Sequence, residues 1–259
     1  MREILQPYFG RSPDVTRRRP VSTYIAVGVI SLFAGIPACA YEAKAVENGG
    51  TIRGTVVLSA ATPEPGNLEI TKDHRACGAD ITDERLLVRD GLVQNAVVSI
   101  EGIKQGKQPV DSNYRLENVG CRFVPHVQTI QVGAKLAIIN LDPVLHNTHG
   151  TLQSGKTVFN IALPLQNQQI QKRIKKPGVM QLKCDAGHTW MSAYVVSFPH
   201  PYHATTGEDG SFTMDDIPPG MYTVSVWHEE LPPAKIEITV KEGESQSLTI
   251  ELEKGDNLE

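Results

Sequence analysis

The sequence predicts an all-β protein, and three observations support this fold class. Apolar and polar residues alternate along 222–227, 236–241 and 248–253, which is the pattern of half-buried strands. Gly and Pro interrupt such segments at short intervals, as in Asp209-Gly210 and Pro218-Pro219-Gly220. Helical periodicity is nearly absent after the first 40 residues. Short alternating strands joined by such turns are typical of β-sandwiches.

The N-terminus has the pattern of a targeting segment. Arg17–Arg19 precede an apolar run from Tyr24 to Ile36, and small residues follow at Ala38–Ala40. The run is shorter than the ~20 residues of a membrane-spanning helix, and no second run is long enough to span a bilayer. We therefore predict a signal peptide over residues 1–40. A lipoprotein signal with Cys39 at its cleavage site and a twin-arginine signal remain open.

The charge of the remaining chain argues against nucleic acid as a partner. The chain has 25 basic and 29 acidic residues, of which five Arg and two acids lie within the first 40 positions, so the remainder has a net charge of −7. Binding to a phosphate backbone requires a concentration of positive charge that this composition does not supply. Export would place the protein in the periplasm or on the extracellular side of the cell envelope.

Three cysteines follow the predicted signal peptide, namely Cys77, Cys121 and Cys184. Disulfides persist in an oxidising compartment, and an odd number leaves one thiol that needs another explanation. The simplest account pairs Cys77 with Cys121 and leaves Cys184 for a metal. The alternative is that all three thiols are free and buried.

One short segment carries the chemistry that the sequence predicts. The segment Cys184–Met191 contains a thiol, the imidazole of His188 and the thioether of Met191, and His146 lies about forty positions upstream. Two His, one Cys and a weak axial Met are the ligands of a mononuclear type 1 copper site. Because Gly187 permits a tight turn after the strand that ends at Cys184, the loop can bring its three donors to one metal.

Two segments near the C-terminus resemble the carboxypeptidase regulatory-like, transthyretin-like sandwich. They are Thr206–Phe212 and Ile217–Val224, and the opening strands of that family resemble Ile52–Leu58 and Asn95–Ile100 far upstream. The resemblance implies a discontinuous sandwich formed by residues 41–111 and 200–254, with another domain inserted between them. The alternative is a tandem order, with one larger domain over about 50–199 followed by a small sandwich.

The intervening residues 112–199 resemble a cupredoxin, the plastocyanin-like Greek-key barrel. The matching segments are Phe123–Pro125, Ile130–Gly133, Leu136–Asn140, Asp142–Asn147 and Gly178–Cys184. The resemblance implies copper bound by His146, Cys184, His188 and Met191. It also implies that the amide of Asn147 supports the cysteine loop from outside the ligand set.

Several alternatives within this site stay open. His149 competes with His146 as a ligand, and His126 could belong to a second metal site. The spacing of Cys184, His188 and Met191 resembles half of the dinuclear copper loop of cytochrome oxidase subunit II. That loop has a further Cys where this chain has Met180, so we expect a mononuclear site.

The favoured function is that of an exported one-electron carrier, with His188 near the surface as the route for electrons. The run Lys172–Lys176 is either a solvated hairpin or a docking patch for an acidic periplasmic redox protein. The alternatives are a copper-holding protein that delivers copper to an acceptor, and a scaffolding protein without copper. We expect no enzyme, because the chain has no nucleophile elbow, no Gly-rich phosphate loop and no His-Glu-x-x-His segment.

Overall fold

The structure is a computed structural model that describes residues 41–59, 64–110 and 112–254. The predicted signal peptide lies outside these residues. Across the described ranges the chain forms 22 strands and one helix of four residues. The all-β class predicted from the sequence is confirmed. Within the same ranges no helix combines the length and the hydropathy that crossing a bilayer requires.

The elements fall into three groups along the chain. Before residue 112 they are β1 (Glu42–Ala43), β2 (Gly50–Leu58), β3 (Asn67–Glu69), α1 (His74–Cys77), β4 (Asp80–Thr82), β5 (Val88–Arg89), β6 (Leu92–Val93), β7 (Val97–Ile100) and β8 (Gln105–Gly106). The middle group is β9 (Tyr114–Val119), β10 (Arg122–Val124), β11 (Val127–Gln131), β12 (Lys135–Asn140), β13 (His146–Leu152), β14 (Thr157–Leu163), β15 (Gln169–Arg173), β16 (Gly178–Lys183) and β17 (Ser192–Phe198). The last group is β18 (His203–Thr205), β19 (Ser211–Ile217), β20 (Gly220–Trp227), β21 (Ala234–Val240) and β22 (Ser245–Leu252).

The middle group forms two sheets that enclose one apolar core. One sheet has the order β10-β9-β12-β15, and the other has the order β11-β17-β16-β13-β14. The buried core between them includes Leu116, Ile138, Leu163, Leu182 and Val195. Since β16 and β13 are antiparallel neighbours, with His149 opposite Lys183, the segment that precedes β13 and the loop that follows β16 lie at the same end of the sheet.

The outer groups combine into a second pair of sheets. One has the order β18-β7-β20-β21, and the other has the order β19-β2-β6-β5 with β22 paired to β2. Gly54 in β2 is required by close packing, because a Cβ there would lie 2.5 Å from the Leu248 carbonyl oxygen and 2.8 Å from the Phe212 ring. The strands that alternate in sequence also alternate in burial, as Ala234–Val240 shows.

Strand pairing connects the two ends of the described chain. β2 pairs with β19 and β22, whereas β9 to β17 pair only with one another among the described residues. We interpret this pairing as a sandwich interrupted by a barrel, with 41–111 and 200–254 on one side and 112–199 on the other. These domain limits remain a prediction.

One segment before residue 112 departs from the predicted division. Residues 67–82, called the lobe below, comprise the hairpin strands β3 and β4 with α1 between them. The prediction placed this segment in the sandwich, but its Ile70 and Cys77 are buried in the core of the barrel. The physical reason is that the lobe carries its own apolar face, to which Leu68, Ala76 and Ile81 also contribute.

The barrel and the sandwich are in contact through a small apolar cluster and a buried ion pair. Val97 of the sandwich packs with Val127 and Val196 of the barrel. The His126 imidazole of the barrel contacts the Glu229 carboxylate of the sandwich, and both side chains are buried. These contacts attach the barrel to the sandwich.

We predict that acid destabilises the fold through buried histidines. Burial lowers the pKa of His200, His203 and His228 from 6.5 to about 4. Between pH 6.5 and 4 the unfolded chain binds a proton at each of these histidines, whereas the folded protein does not. The free energy of unfolding is therefore highest above pH 6.5 and falls as the pH approaches 4. His228→Gln removes one such group, so the slope of unfolding free energy against pH in this window should decrease by up to about 1.4 kcal/mol per pH unit. Urea titrations from pH 4 to 7 measure this slope.

The matched control for this prediction is His74→Gln, at an exposed position in α1. An equal decrease in both variants would contradict the assignment of the slope to burial.

Candidate metal centre

Two adjacent strands position the three strongest candidate ligands. His146 is the first residue of β13, and Cys184 directly follows β16, which ends at Lys183. The loop from Asp185 to Met191 then leads into β17 and carries His188. Because β13, β16 and β17 are hydrogen-bonded neighbours in one sheet, the backbone holds both loops before any metal binds.

The structure brings His146, Cys184 and His188 together. One ligand atom from each lies within 4.8 Å of the others. The His188 Nδ1 atom lies 3.6 Å from the Cys184 Sγ atom, and the two imidazole ring centroids are 4.7 Å apart. All three side chains are shielded from solvent, with exposed fractions of 0% for each His and 5% for Cys184.

A carboxylate orients each imidazole. The His146 Nε2 atom lies 2.8 Å from Asp142 Oδ2, and the His188 Nε2 atom lies 2.9 Å from Asp73 Oδ2. A carboxylate accepts a hydrogen bond, so in both neutral rings we assign the proton to Nε2. The lone pair is then on Nδ1 of each ring. Such a carboxylate–histidine pair is the usual support for a metal-binding imidazole.

The donors fit a copper ion, and one polar atom shows the fit directly. His146 Nδ1 is buried and has no hydrogen-bond partner within the described part of the protein. A buried polar atom without a partner costs free energy, so an orphaned nitrogen beside a thiol and a second imidazole suits metal ligation. One thiolate with two imidazoles is a soft donor set that favours copper over magnesium or calcium.

Asn147 links the two loops, as the sequence resemblance implied. Its backbone N–H donates to Cys184 Sγ at 3.3 Å, and its side-chain Oδ1 accepts from the Asp185 N–H at 3.2 Å. The side-chain amide also donates to Asn160 Oδ1 at 2.6 Å. These bonds fix the cysteine loop relative to the start of β13.

Met191 and Trp190 complete the buried surroundings. Met191 is 2% exposed and belongs to the same apolar cluster as Cys184. Its backbone N–H donates to the His188 carbonyl at 3.0 Å, which tightens the loop. The Trp190 ring lies 5.2 Å from the His188 ring and its Nε1–H donates to the Cys121 carbonyl, so Trp190 shields the site. Ligation by Met191 stays a prediction.

The surroundings shift the ionisation of all three ligand side chains. Burial opposes ionisation of the Cys184 thiol, but the neighbouring His146 imidazole and the backbone N–H groups of Asn147 and Ala186 hold its pKa below the ordinary value. Burial opposes protonation of His146 as well, yet Asp142 and the Cys184 sulfur raise its pKa to about 8. Burial lowers the pKa of His188, and Asp73 offsets this only in part. These contacts therefore lower the pKa of Cys184 and raise the pKa of His146 relative to the free side chains.

The other histidines considered from the sequence lie elsewhere. His149 contacts Thr157 Oγ1 at 2.9 Å and Asp185 Oδ2 at 2.8 Å, so its ring faces the edge of the site rather than Cys184. His126 contacts Glu229 at the contact between barrel and sandwich. In the ranges that the structure describes, neither belongs to a cluster of three potential metal ligands.

The His188 imidazole, which we expected near the surface, is itself 0% exposed. The lobe covers this imidazole through Asp73, and Lys72 Nζ donates to the Ala186 carbonyl at 2.6 Å beside it. Sequence reasoning missed both Asp73 and Asp142. Asp142 lies only four residues before His146, a spacing that could have drawn attention to it. Asp73 is 115 residues from His188 and gave no comparable signal.

The structure contains a disulfide between Cys77 of the lobe and Cys121 of the barrel, with a Cα–Cα distance of 5.2 Å. Cys184 is the free cysteine of the described residues. The Cys121 sulfur lies within 4.8 Å of a ligand atom of each imidazole. The bond therefore attaches the lobe directly beside the candidate metal centre.

We predict that this disulfide contributes substantially to stability. Its sequence separation is 44 residues, and a loop of this length corresponds to roughly 3–4 kcal/mol on the chain-entropy estimate. Cys77→Ser/Cys121→Ser should lower the free energy of unfolding by about that amount in urea titrations.

Thiol titration of unfolded protein without residues 1–40 should give one thiol before reduction and three after it. Three thiols before reduction would refute the bridge.

Comparison with known families identifies one part of the chain. Residues 190–253 match the family model of the carboxypeptidase regulatory-like domain. The match begins ten residues before the predicted start of the closing sandwich segment. No curated protein matches the sequence.

Several solved structures align with part of the chain. A purple cupredoxin from Nitrosopumilus maritimus is 22% identical, with a TM-score of 0.29, over 33% of this chain and 100% of its own. A reduced amicyanin variant is 15% identical, with a TM-score of 0.30, over 39% of this chain and 98% of its own. A copper-containing nitrite reductase from Thermus scotoductus SA-01 is 18% identical, with a TM-score of 0.29, over 36% of this chain and 24% of its own. Both families that the sequence resembles are thus returned by comparison.

Proposed function

We propose that this protein is an exported copper protein that carries one electron at a time. The observation that carries the proposal is the convergence of Cys184 with the Nδ1 atoms of His146 and His188, both rings being oriented by carboxylates. Met191 would supply a fourth donor, its thioether, in this proposal. Bound copper would supply a Cu(I)/Cu(II) couple.

The chain's own contribution is to keep the donors in place during the change of charge. Asp142 and Asp73 hold the Nε2–H tautomers, and Asn147 holds the thiolate by its backbone N–H. His146 and Cys184 lie at strand ends of one sheet, and His188 lies in the short loop between two of its strands. The ligand positions therefore need little rearrangement when the charge of the site changes. With copper bound, the Cys184 sulfur would join the metal covalently to the protein.

Burial of the site supports a carrier rather than an enzyme. Neither imidazole is exposed, and Cys184 is only 5% exposed, so a substrate has no direct access to the donors. A catalytic metal site keeps an open position for substrate, and the enclosure disfavours one here. Export is supported by the Cys77–Cys121 disulfide, which is typical of oxidising compartments.

Copper delivery is the alternative function. Further histidines near the site, such as His126 and His149, would serve a delivery protein as transfer ligands, but His126 is paired with Glu229, and His149 with Asp185 and Thr157. A delivery protein would release Cu(I) to an acceptor apoprotein instead of cycling reversibly. Reversible voltammetry without loss of metal favours the carrier.

We predict intense visible absorption from thiolate-to-copper charge transfer in the oxidised protein loaded with one copper per chain. Cys184→Ser should abolish this band, because serine does not supply a thiolate. Optical titration with Cu(II) measures both. Ser197→Ala, a hydroxyl removed at a buried position of the same barrel away from the loop, is the control that should keep the band. A colourless wild-type protein with bound copper would refute the carrier.

The proposed redox partner is an acidic protein that binds a basic groove of the barrel, at the end of β13 and β16 away from His146 and Cys184. The groove has a volume of about 540 Å³ and an apolar floor that includes Phe159 and Met180. Five cationic side chains line it, and none forms an ion pair in the described part of the chain: Lys156, Lys172, Arg173, Lys175 and Lys176. Unpaired positive charge on an acidic protein steers anionic partners.

We predict that reversing charge at this groove slows electron exchange with an anion. The rate of oxidation of the Cu(I) protein by hexacyanoferrate(III) at low salt should fall roughly 3- to 10-fold in Lys175→Glu/Lys176→Glu. Stopped-flow absorbance measures the rate. The control Lys235→Glu/Lys241→Glu makes the same change of net charge at exposed positions of the sandwich. Equal slowing in both variants would refute the groove as the point of approach.

A further inference from the structure

The lobe formed by residues 67–82 makes four separate attachments around the candidate metal centre. Ile70 is buried in the barrel core, and Cys77 is bonded to Cys121. Lys72 Nζ donates to the Ala186 carbonyl, and the Asp73 carboxylate accepts from His188 Nε2. Two of these four contacts therefore end on the loop that carries Cys184 and His188.

The two candidate imidazoles differ in the origin of their supporting carboxylate. His146 is held by Asp142, which lies four residues earlier and also accepts from the backbone N–H groups of Gly120 and Cys121. That support is internal to the barrel. His188 is held by Asp73, which the lobe supplies from outside the barrel. The orientation of one ligand therefore depends on a docked segment.

The backbone conformation at Asp73 limits which residue types fit at this position. Its φ is 54°, in the left-handed region, where Gly, Asn and Asp are the residues that fit with least strain. Asp adds a carboxylate that reaches His188 at 2.9 Å. The lobe thus turns sharply at the point where its charged side chain meets the imidazole.

We propose that Asp73 is a positioning residue for His188 and that the docked lobe closes the metal centre. The inference rests on the proposed function for the role of copper, but closure itself concerns the chain alone. While the lobe is docked, the His188 edge is covered, and the Cys184 thiol is reached only when the lobe opens. The Cys77–Cys121 bond attaches the lobe to the barrel beside the same imidazole.

Closure has a consequence for the choice between carrier and delivery protein. A metal exchange partner must reach the ligands, whereas an electron needs no opening of the site. A lobe held by a disulfide, an apolar contact and two polar contacts thus favours retention of copper. The same contacts cover His188, so a redox partner does not touch this imidazole directly while the lobe is docked.

The experiment uses the protein without its predicted signal peptide and measures the metal-free form first. Cys184 is the free thiol of the described residues, so its reaction with dithionitrobenzoate reports opening of the site. Asp73→Gly removes the carboxylate and keeps a residue suited to the left-handed backbone. The rate should rise at least about tenfold, the effect of losing one hydrogen bond to a charged group on an opening equilibrium. Asp73→Asn retains an acceptor and should give an intermediate rate.

Asp80→Ala is the matched control, because it removes an exposed carboxylate from the same lobe. Its thiol rate should remain within about twofold of wild type. Lys72→Met tests the lobe independently of Asp73. It removes the donor to Ala186 while retaining an apolar stem, and it should also raise the thiol rate. Circular dichroism checks that each variant is folded. If Asp73→Gly does not fold, the thiol rates of Asp73→Asn and Lys72→Met test the proposal.

The absorption spectrum of the copper-loaded protein tests whether Asp73 positions the His188 imidazole. The thiolate-to-copper band of Asp73→Gly should shift in wavelength or relative intensity, with partial return in Asp73→Asn and no change in Asp80→Ala. Thiol rates and spectra of the Asp73 variants equal to those of Asp80→Ala would overturn the proposal. A wild-type protein without the band would overturn the carrier function alone, since the apoprotein rates test closure separately.

Discussion

The candidate site depends above all on two hydrogen bonds between buried imidazoles and carboxylates. Each bond places the ring proton on Nε2, and so directs the Nδ1 lone pair towards Cys184. Without them, the rings could adopt the other tautomer or rotate, and the three donors would no longer share one centre. The Asn147 bonds act beside these pairs, because they hold the cysteine loop to the start of β13.

The three donors could be predicted from the sequence because two of them share a strand–loop unit. Cys184 ends a strand and His188 follows within the same tight loop, so spacing alone brings them close. His146 required the further inference that its strand is the neighbour of β16, which the resemblance to a cupredoxin implied and the pairing of His149 with Lys183 shows. The alternation of apolar residues likewise predicted β20, β21 and β22.

The sequence did not predict the support and enclosure of the site. Asp73 reaches His188 across 115 residues, and no local period or spacing encodes a contact of that range. The residues around it form a four-residue helix and two three-residue strands, which are too short to leave a periodic pattern. Nothing in the sequence therefore indicated that Asp73 and the lobe cover His188, which is 0% exposed.

The lobe connects the sandwich to the core of the barrel. The lobe lies between β2 and β6, two strands of one sandwich sheet, and yet its apolar face is part of the barrel core. Since both ends of the lobe are held by the sandwich, its entropic cost of docking is lower than that of a free segment. The contacts of His126 with Glu229 and of Val97 with Val196 fix the sandwich beside the barrel. The sandwich therefore acts as the frame from which Asp73 is presented to His188.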